Sequence, residues 1–77
     1  MKRITVGDAK PGDILHGAGA AAGIACTVLN VSRTRDGMGV LIVEDQLGDT
    51  YCLTSPIDSP VTRCDWSAED WAAFKAL

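Results

Sequence analysis

Between Thr27 and Ser55 the chain passes through three successive stretches rich in β-branched residues, Thr27 to Arg33, Val40 to Asp45 and Thr50 to Ser55, separated by two Gly-containing turns. Val, Ile, Thr and Tyr suit a pleated, half-buried surface, and successive strand residues point to opposite faces, so three such stretches in a row predict an antiparallel meander. In the first, Leu29 and Val31 share a face with Thr27 and Arg33, while Cys26, Val28 and Asn30 face the other way. The second, Val40-Leu41-Ile42-Val43, is apolar on both faces, as a strand in the middle of a sheet is. Asp36-Gly37 marks the first hairpin, because glycine takes the positive φ that primed or bulged turns need, and Gly39 is read as lengthening that loop. Gln46 to Asp49 form the second connection.

The flanks extend this meander. Lys2 to Val6 reads as a short strand with Ile4 and Val6 on one face, broken at Gly7. Lys10-Pro11-Gly12-Asp13 is a type II turn signal, since proline presets φ at the second position and glycine accepts positive φ at the third. Ile14-Leu15-His16 then starts a returning strand. Downstream, Pro56 and Pro60 bound a compact connection that predicts a single helical turn over Ile57 to Ser59, followed by a last strand, Val61 to Arg63.

At the C-terminal end the periodicity becomes helical. Ser67 is an N-cap, Glu69 and Asp70 suit the positive end of the helix dipole, and Asp70 stands where a capping box places Glu or Gln. Trp66 and Trp71 occupy staple positions, and Trp71 and Phe74 line one face. So short a helix must dock. It either closes one end of its own barrel or packs Trp66, Trp71 and Phe74 on a second subunit or another protein, since buried aromatics dominate interfaces.

Residues 17–23 contain only Gly and Ala, so the stretch offers its backbone and little else. One reading is a loop whose N–H groups at Gly17, Gly19 and Gly23 approach an anion or nucleotide, helped by His16, Arg33, Arg35 or Arg63. The other is a loop that merely connects strands or lets a second backbone come close. The spacing Gly-x-Gly-x-x-x-Gly departs from the dinucleotide fingerprint, a strand and not a helix follows it, and 77 residues are too few for a Rossmann domain.

A chain of this size is one domain, here divided into a barrel over 3–64 and a helix over 67–76, and it needs dense packing or self-association for stability. Three cysteines, Cys26, Cys52 and Cys64, leave one unpaired in any disulfide scheme, no Cys-x-x-Cys occurs, and no apolar secretory segment opens the sequence. The cytoplasm is therefore the expected compartment, and the cysteines are read as three small buried hydrophobes. His16 with those cysteines lacks the close ligand spacing of a zinc site, so no metal and no cofactor are expected. Glu44, Asp45 and Asp49 flank a turn, where solvated carboxylates belong. With one histidine and no nucleophile motif, no enzyme and no catalytic residue are expected.

Net charge is −3, unevenly spread. Residues 1–40 carry Lys2, Arg3, Lys10, Arg33 and Arg35 against Asp8, Asp13 and Asp36, a net +2, whereas residues 41–77 carry a net −5. An acidic chain with few aromatics argues against general nucleic-acid binding, where phosphate neutralisation supplies most of the affinity. No membrane association is expected.

The order of these elements resembles the SH3-like small barrels, including the KOW-type barrels of translation and transcription factors. The resemblance covers Ile4 to Arg63 and rests on Pro11-Gly12-Asp13-Ile14-Leu15, the Gly-rich long loop and the Pro-bounded turn before Val61. It implies a mostly β fold, a five-stranded SH3-like barrel with a short C-terminal α-helix. Peptide-binding SH3 domains pave their groove with aromatics, whereas this barrel region has only Tyr51, and Thr5-Val6-Gly7-Asp8-Ala9 replaces their Ala-Leu-Tyr-Asp-Tyr-like run. Short Ala/Gly-rich acidic barrels also look like orphan proteins of bacteriophages and mobile elements. The expected function is a non-enzymatic, self-associating protein-interaction module whose partner is a protein or a second copy. The alternative is a protein that sequesters a small anionic ligand or nucleotide in the Gly17–Gly23 loop, with a nucleic-acid-binding barrel third.

Overall fold

The computed structural model describes residues 2–16 and 25–76. Among them, six strands form one antiparallel sheet: β1 (Lys2–Thr5), β2 (Ile14–His16), β3 (Ala25–Arg33), β4 (Met38–Asp45), β5 (Thr50–Pro56) and β6 (Pro60–Cys64). Their spatial order is β1-β6-β2-β3-β4-β5. A 3₁₀ turn, Val6–Asp8, follows β1, and helix α1 (Ala68–Lys75) follows β6. Six strands stand where the expected barrel has five: Lys2–Thr5 and Ile14–His16, each read as strand from the sequence, are separate members of the sheet that lie on either side of β6. Among the described residues the sheet is also open: β1 and β5 are its edges, and no ladder joins them.

Local turn chemistry sets much of this register. Asp13 N–H donates to Lys10 O at 3.0 Å with Gly12 at φ 93°, the glycine turn expected there. The Asp36-Gly37 hairpin closes as Thr34 N–H donates to Met38 O at 2.9 Å. Pro56 to Ser59 make one i→i+3 turn, with Ser59 N–H on Pro56 O at 3.0 Å, in place of a helical segment. The predicted capping box forms, with Asp70 N–H donating to Ser67 Oγ at 3.1 Å and Ser67 N–H to Asp70 Oδ2 at 3.0 Å.

One apolar cluster fills the inner face of the sheet: Val6, Leu15, Cys26, Val28, Leu41, Val43 and Val61, with Ala9 beside them. Ile4 from β1 and Leu53 from β5 pack against this same cluster, so the sheet curls until both edges share a core. The 3₁₀ turn bridges the gap at one end, with Val6 N–H on Ser59 O at 2.9 Å and Gly7 N–H on Ile57 O at 2.8 Å. Here Gly39 differs from its expected role. It lies in β4, not in a loop, and a Cβ added to it stands only 2.5 Å from Val6 Cγ1. Its missing side chain makes room for the closing turn.

A β-bulge changes the facing of β3. Val28 pairs with Val43 and Asn30 with Ile42, so Leu29 has no partner in the ladder. An extra residue shifts the two-residue alternation by one. Val31 consequently joins Val28 at the inner cluster, where uninterrupted alternation placed it on the opposite face, and Leu29 is left 47% exposed.

The opposite, outer face carries α1. Trp71, 8% exposed, packs on Ile14, Ala25 and Cys64 with Phe74 beside it. Lys75 Nζ donates to Glu44 Oε1 at 3.0 Å, tying the helix end to β4. No helix among the described residues is long and apolar enough to cross a membrane.

Candidate protein-interaction surface

The helix shields the outer face only over β6, β2 and the start of β3. Beyond Glu44, the outward residues of β4 are Ile42 and Val40, both half-buried, flanked by exposed Cys52 and Thr54 of β5 and by Asn30 and Ser32 of β3. Bulged Leu29 adds a further exposed apolar side chain. This strip has no charged side chain until the Lys75–Glu44 pair at the helix.

The strip ends at β5, whose seven residues, Thr50–Pro56, carry no charge. Hydrogen bonds at both ends of the β4–β5 ladder fix its parity: Asp45 N–H donates to Asp49 O at 2.9 Å, and Ile57 N–H to Gly37 O at 3.1 Å. Pairs of the same parity, Val43–Tyr51, Leu41–Leu53 and Gly39–Ser55, are therefore the hydrogen-bonded ones. The backbone groups of Thr50, Cys52 and Thr54 consequently point away from β4. Among the described residues no strand accepts them.

Asp45 anchors the turn that starts β5. It is 2% exposed, unlike the solvated carboxylate that a turn position predicts. Leu47 and Asp49 N–H donate to its Oδ1 at 2.8 and 3.0 Å, and the Tyr51 hydroxyl to its Oδ2 at 2.8 Å. The Tyr51 bond, followed by these amides, outweighs burial and holds the Asp45 carboxyl below the usual carboxylate range. The same bond pushes the Tyr51 phenol up. A satisfied buried carboxylate that orders a turn is structural, and it orients β5.

The cysteines divide two to one. Cys26 and Cys64 are buried, as expected, whereas Cys52 is exposed on the outer strip. Burial, then the charge of Asp45 and the neighbouring Cys64, push the Cys26 thiol up to about 11, and burial likewise raises Cys64. Both stay protonated and unreactive at neutral pH. No three His, Cys, Asp or Glu among the described residues gather into a metal site.

The aromatic trio is brought together, with ring centroids 5.0 Å apart for Trp66–Phe74, 6.0 Å for Trp71–Phe74 and 6.5 Å for Trp66–Trp71. Trp71 spends its surface on the chain's own sheet, and Trp66, 37% exposed, stays at the surface. The residues expected around an anion are not gathered in the same way. Gly17, Gly19 and Gly23 lie outside the described residues. His16 is exposed at the end of β2, opposite Ala25. Arg33 stands at the far end of β3, roughly 25 Å along the strand from Ala25, and donates from Nη2 to Gly7 O at 3.0 Å. Arg35 sits in the turn beyond it, and Arg63 lies in β6 opposite Lys2. Comparison with protein-family models, with curated proteins and with solved structures finds no match to this chain.

Proposed function

We propose that the chain is a non-enzymatic, self-associating protein-interaction module, an SH3-like small barrel in which the curled sheet presents β5 to a second copy. The glycine turn before β2, the curled meander and the Pro-bounded turn before β6 support the barrel reading. The single observation that carries the interaction reading is an uncharged edge strand whose outward backbone groups, among the described residues, have no partner strand, beside an apolar strip that no described segment covers. Folded proteins ordinarily blunt such edges with lysine, proline, a bulge or a covering segment, because an unblunted edge is a template for strand addition.

A second copy fits this edge better than an unrelated strand, because the edge complements itself. With a twofold axis at Cys52, Thr50 opposes Thr54 of the other copy, Tyr51 opposes Leu53, and Cys52 opposes Cys52. Threonine pairs and aromatic–aliphatic pairs are favourable cross-strand neighbours. Pro56, which has no N–H to donate, stays outside the pairing. The twofold runs perpendicular to the sheet, so the two outer strips of Leu29, Val40 and Ile42 become one apolar surface, with each Trp66 at its own helix beyond.

Hydrogen-bonded antiparallel partners stand about 5.5 Å apart at Cα, within the span of a disulfide. Mild oxidation of the native protein is therefore expected to trap a covalent dimer through Cys52, lost in Cys52→Ser. Absence of a trapped dimer at concentrations where the protein associates would exclude this register.

A further inference from the structure

We infer that a second, separate site, the groove between β1, the 3₁₀ turn and β6, binds a small oligophosphate anion. The groove has a volume of about 460 Å³ and is lined by Lys2, Arg3, Lys10 and Arg63, with Asp8 the carboxylate among its lining residues. Four of the chain's seven lysines and arginines thus line one concavity of a protein whose net charge is −3.

Their placement is costly for the fold alone. Lys2 and Arg63 are direct cross-strand partners in the β1–β6 ladder, and like charges directly opposite each other destabilise a sheet. Asp8, which accepts the Thr5 hydroxyl at 2.9 Å, relieves part of this. Among the described lining residues four cations stand against that one carboxylate, so positive charge is left in excess. A phosphate chain supplies the missing negative charge, and the arginines offer guanidinium forks suited to phosphate oxygens.

The groove also limits what the ligand is. Its volume falls within the range of small-ligand sites, roughly 300–1,000 Å³, and exceeds what one phosphate fills. No aromatic side chain is among its described lining residues, which offer no platform on which a base stacks. The triphosphate group is what is recognised, whether from a nucleotide or from inorganic polyphosphate. Among its described lining residues none belongs to β5.

The test is calorimetric titration of the native protein with inorganic tripolyphosphate, ATP, AMP and a thymidine oligonucleotide. Tripolyphosphate and ATP are expected to bind within about threefold of each other and far more tightly than AMP, and affinity is expected to fall roughly tenfold to a hundredfold in Arg63→Gln. Lys10→Gln, outside the strands, gives the same direction should Arg63→Gln disturb the ladder. Without ligand, Arg63→Gln is expected to unfold at the same temperature as the parent chain or higher, because a like-charge pair is gone. No binding of tripolyphosphate at millimolar concentration, ATP preferred more than tenfold over tripolyphosphate, tighter binding of the oligonucleotide, or unchanged affinity in both variants overturns the proposal.

Discussion

The two edges of the sheet are opposites. β1 carries Lys2 and Arg3, both exposed, and leads directly into a 3₁₀ turn that hydrogen-bonds across to Ser59 and Ile57. β5 offers Thr50 to Thr54 with no charge and no covering segment among the described residues. Both edges lean on one core through Ile4 and Leu53, so burial does not explain the difference. Charge at a strand edge repels a second strand, and its absence invites one. On the proposed reading, one guarded and one unguarded edge direct strand addition to a single side.

Charging β5 breaks the comparison most directly. In Cys52→Lys, two ammonium groups face each other at the proposed axis, and the dimer dissociation constant is expected to rise about a hundredfold or more. Cys52 is exposed, so the urea midpoint of that variant under monomeric conditions should shift by no more than about 0.5 kcal/mol in equivalent stability. Disturbing the guarded side comes next. Gly39→Ala drives a methyl against Val6, and overpacking of this kind costs about 1–3 kcal/mol, measurable by denaturant unfolding. The same substitution is expected to loosen the 3₁₀ turn, detected as faster hydrogen exchange at the Val6 and Gly7 amides.

Removing the guard from β1 gives a smaller effect of the opposite kind. Lys2→Thr with Arg3→Thr is expected to gain about 0.2–1 kcal/mol by ending the Lys2–Arg63 opposition, and to add species larger than a dimer in sedimentation velocity. A mass distribution identical to the parent's would show that charge is not what protects β1. An effect confined to alkaline pH separates the edges from the core beneath them. Burial raises the folded-state Cys26 thiol to about 11 from 9.0, so its protonated form is favoured by folding. That contribution is complete below about pH 9 and is lost as pH rises towards 11. Thermal unfolding should show a decline over this window that Cys26→Ala reduces.

What the sequence revealed follows the range of the interactions involved. The Lys10–Asp13 turn, the hairpin at Asp36-Gly37 and the Ser67–Asp70 capping box depend on residues within four positions of one another, and all three are legible from residue type. The bulge at Leu29 is not, because nothing in Val28-Leu29-Asn30 says which residue the partner strand will skip. Gly39 looks like loop freedom until Val6, 33 positions away, is packed against it. Asp45 looks solvated until the Tyr51 hydroxyl and two turn amides enclose it. For the candidate surface, the aromatic trio was legible as a group. Which of its members stays exposed was decided by docking on Ile14, Ala25 and Cys64. The open edge was invisible for the same reason, since a lack of charge in Thr50 to Ser55 acquires meaning only when that strand turns out to be last in the sheet.

Sedimentation equilibrium of the parent chain beside Cys52→Lys, under reducing conditions and across a hundredfold range of concentration, tests the central claim most directly. The parent is expected to approach twice the 8.1 kDa chain mass as concentration rises, while the variant stays at the chain mass throughout. A parent that remains at 8.1 kDa, or a variant that dimerises as the parent does, contradicts the assignment of β5 as the associating edge.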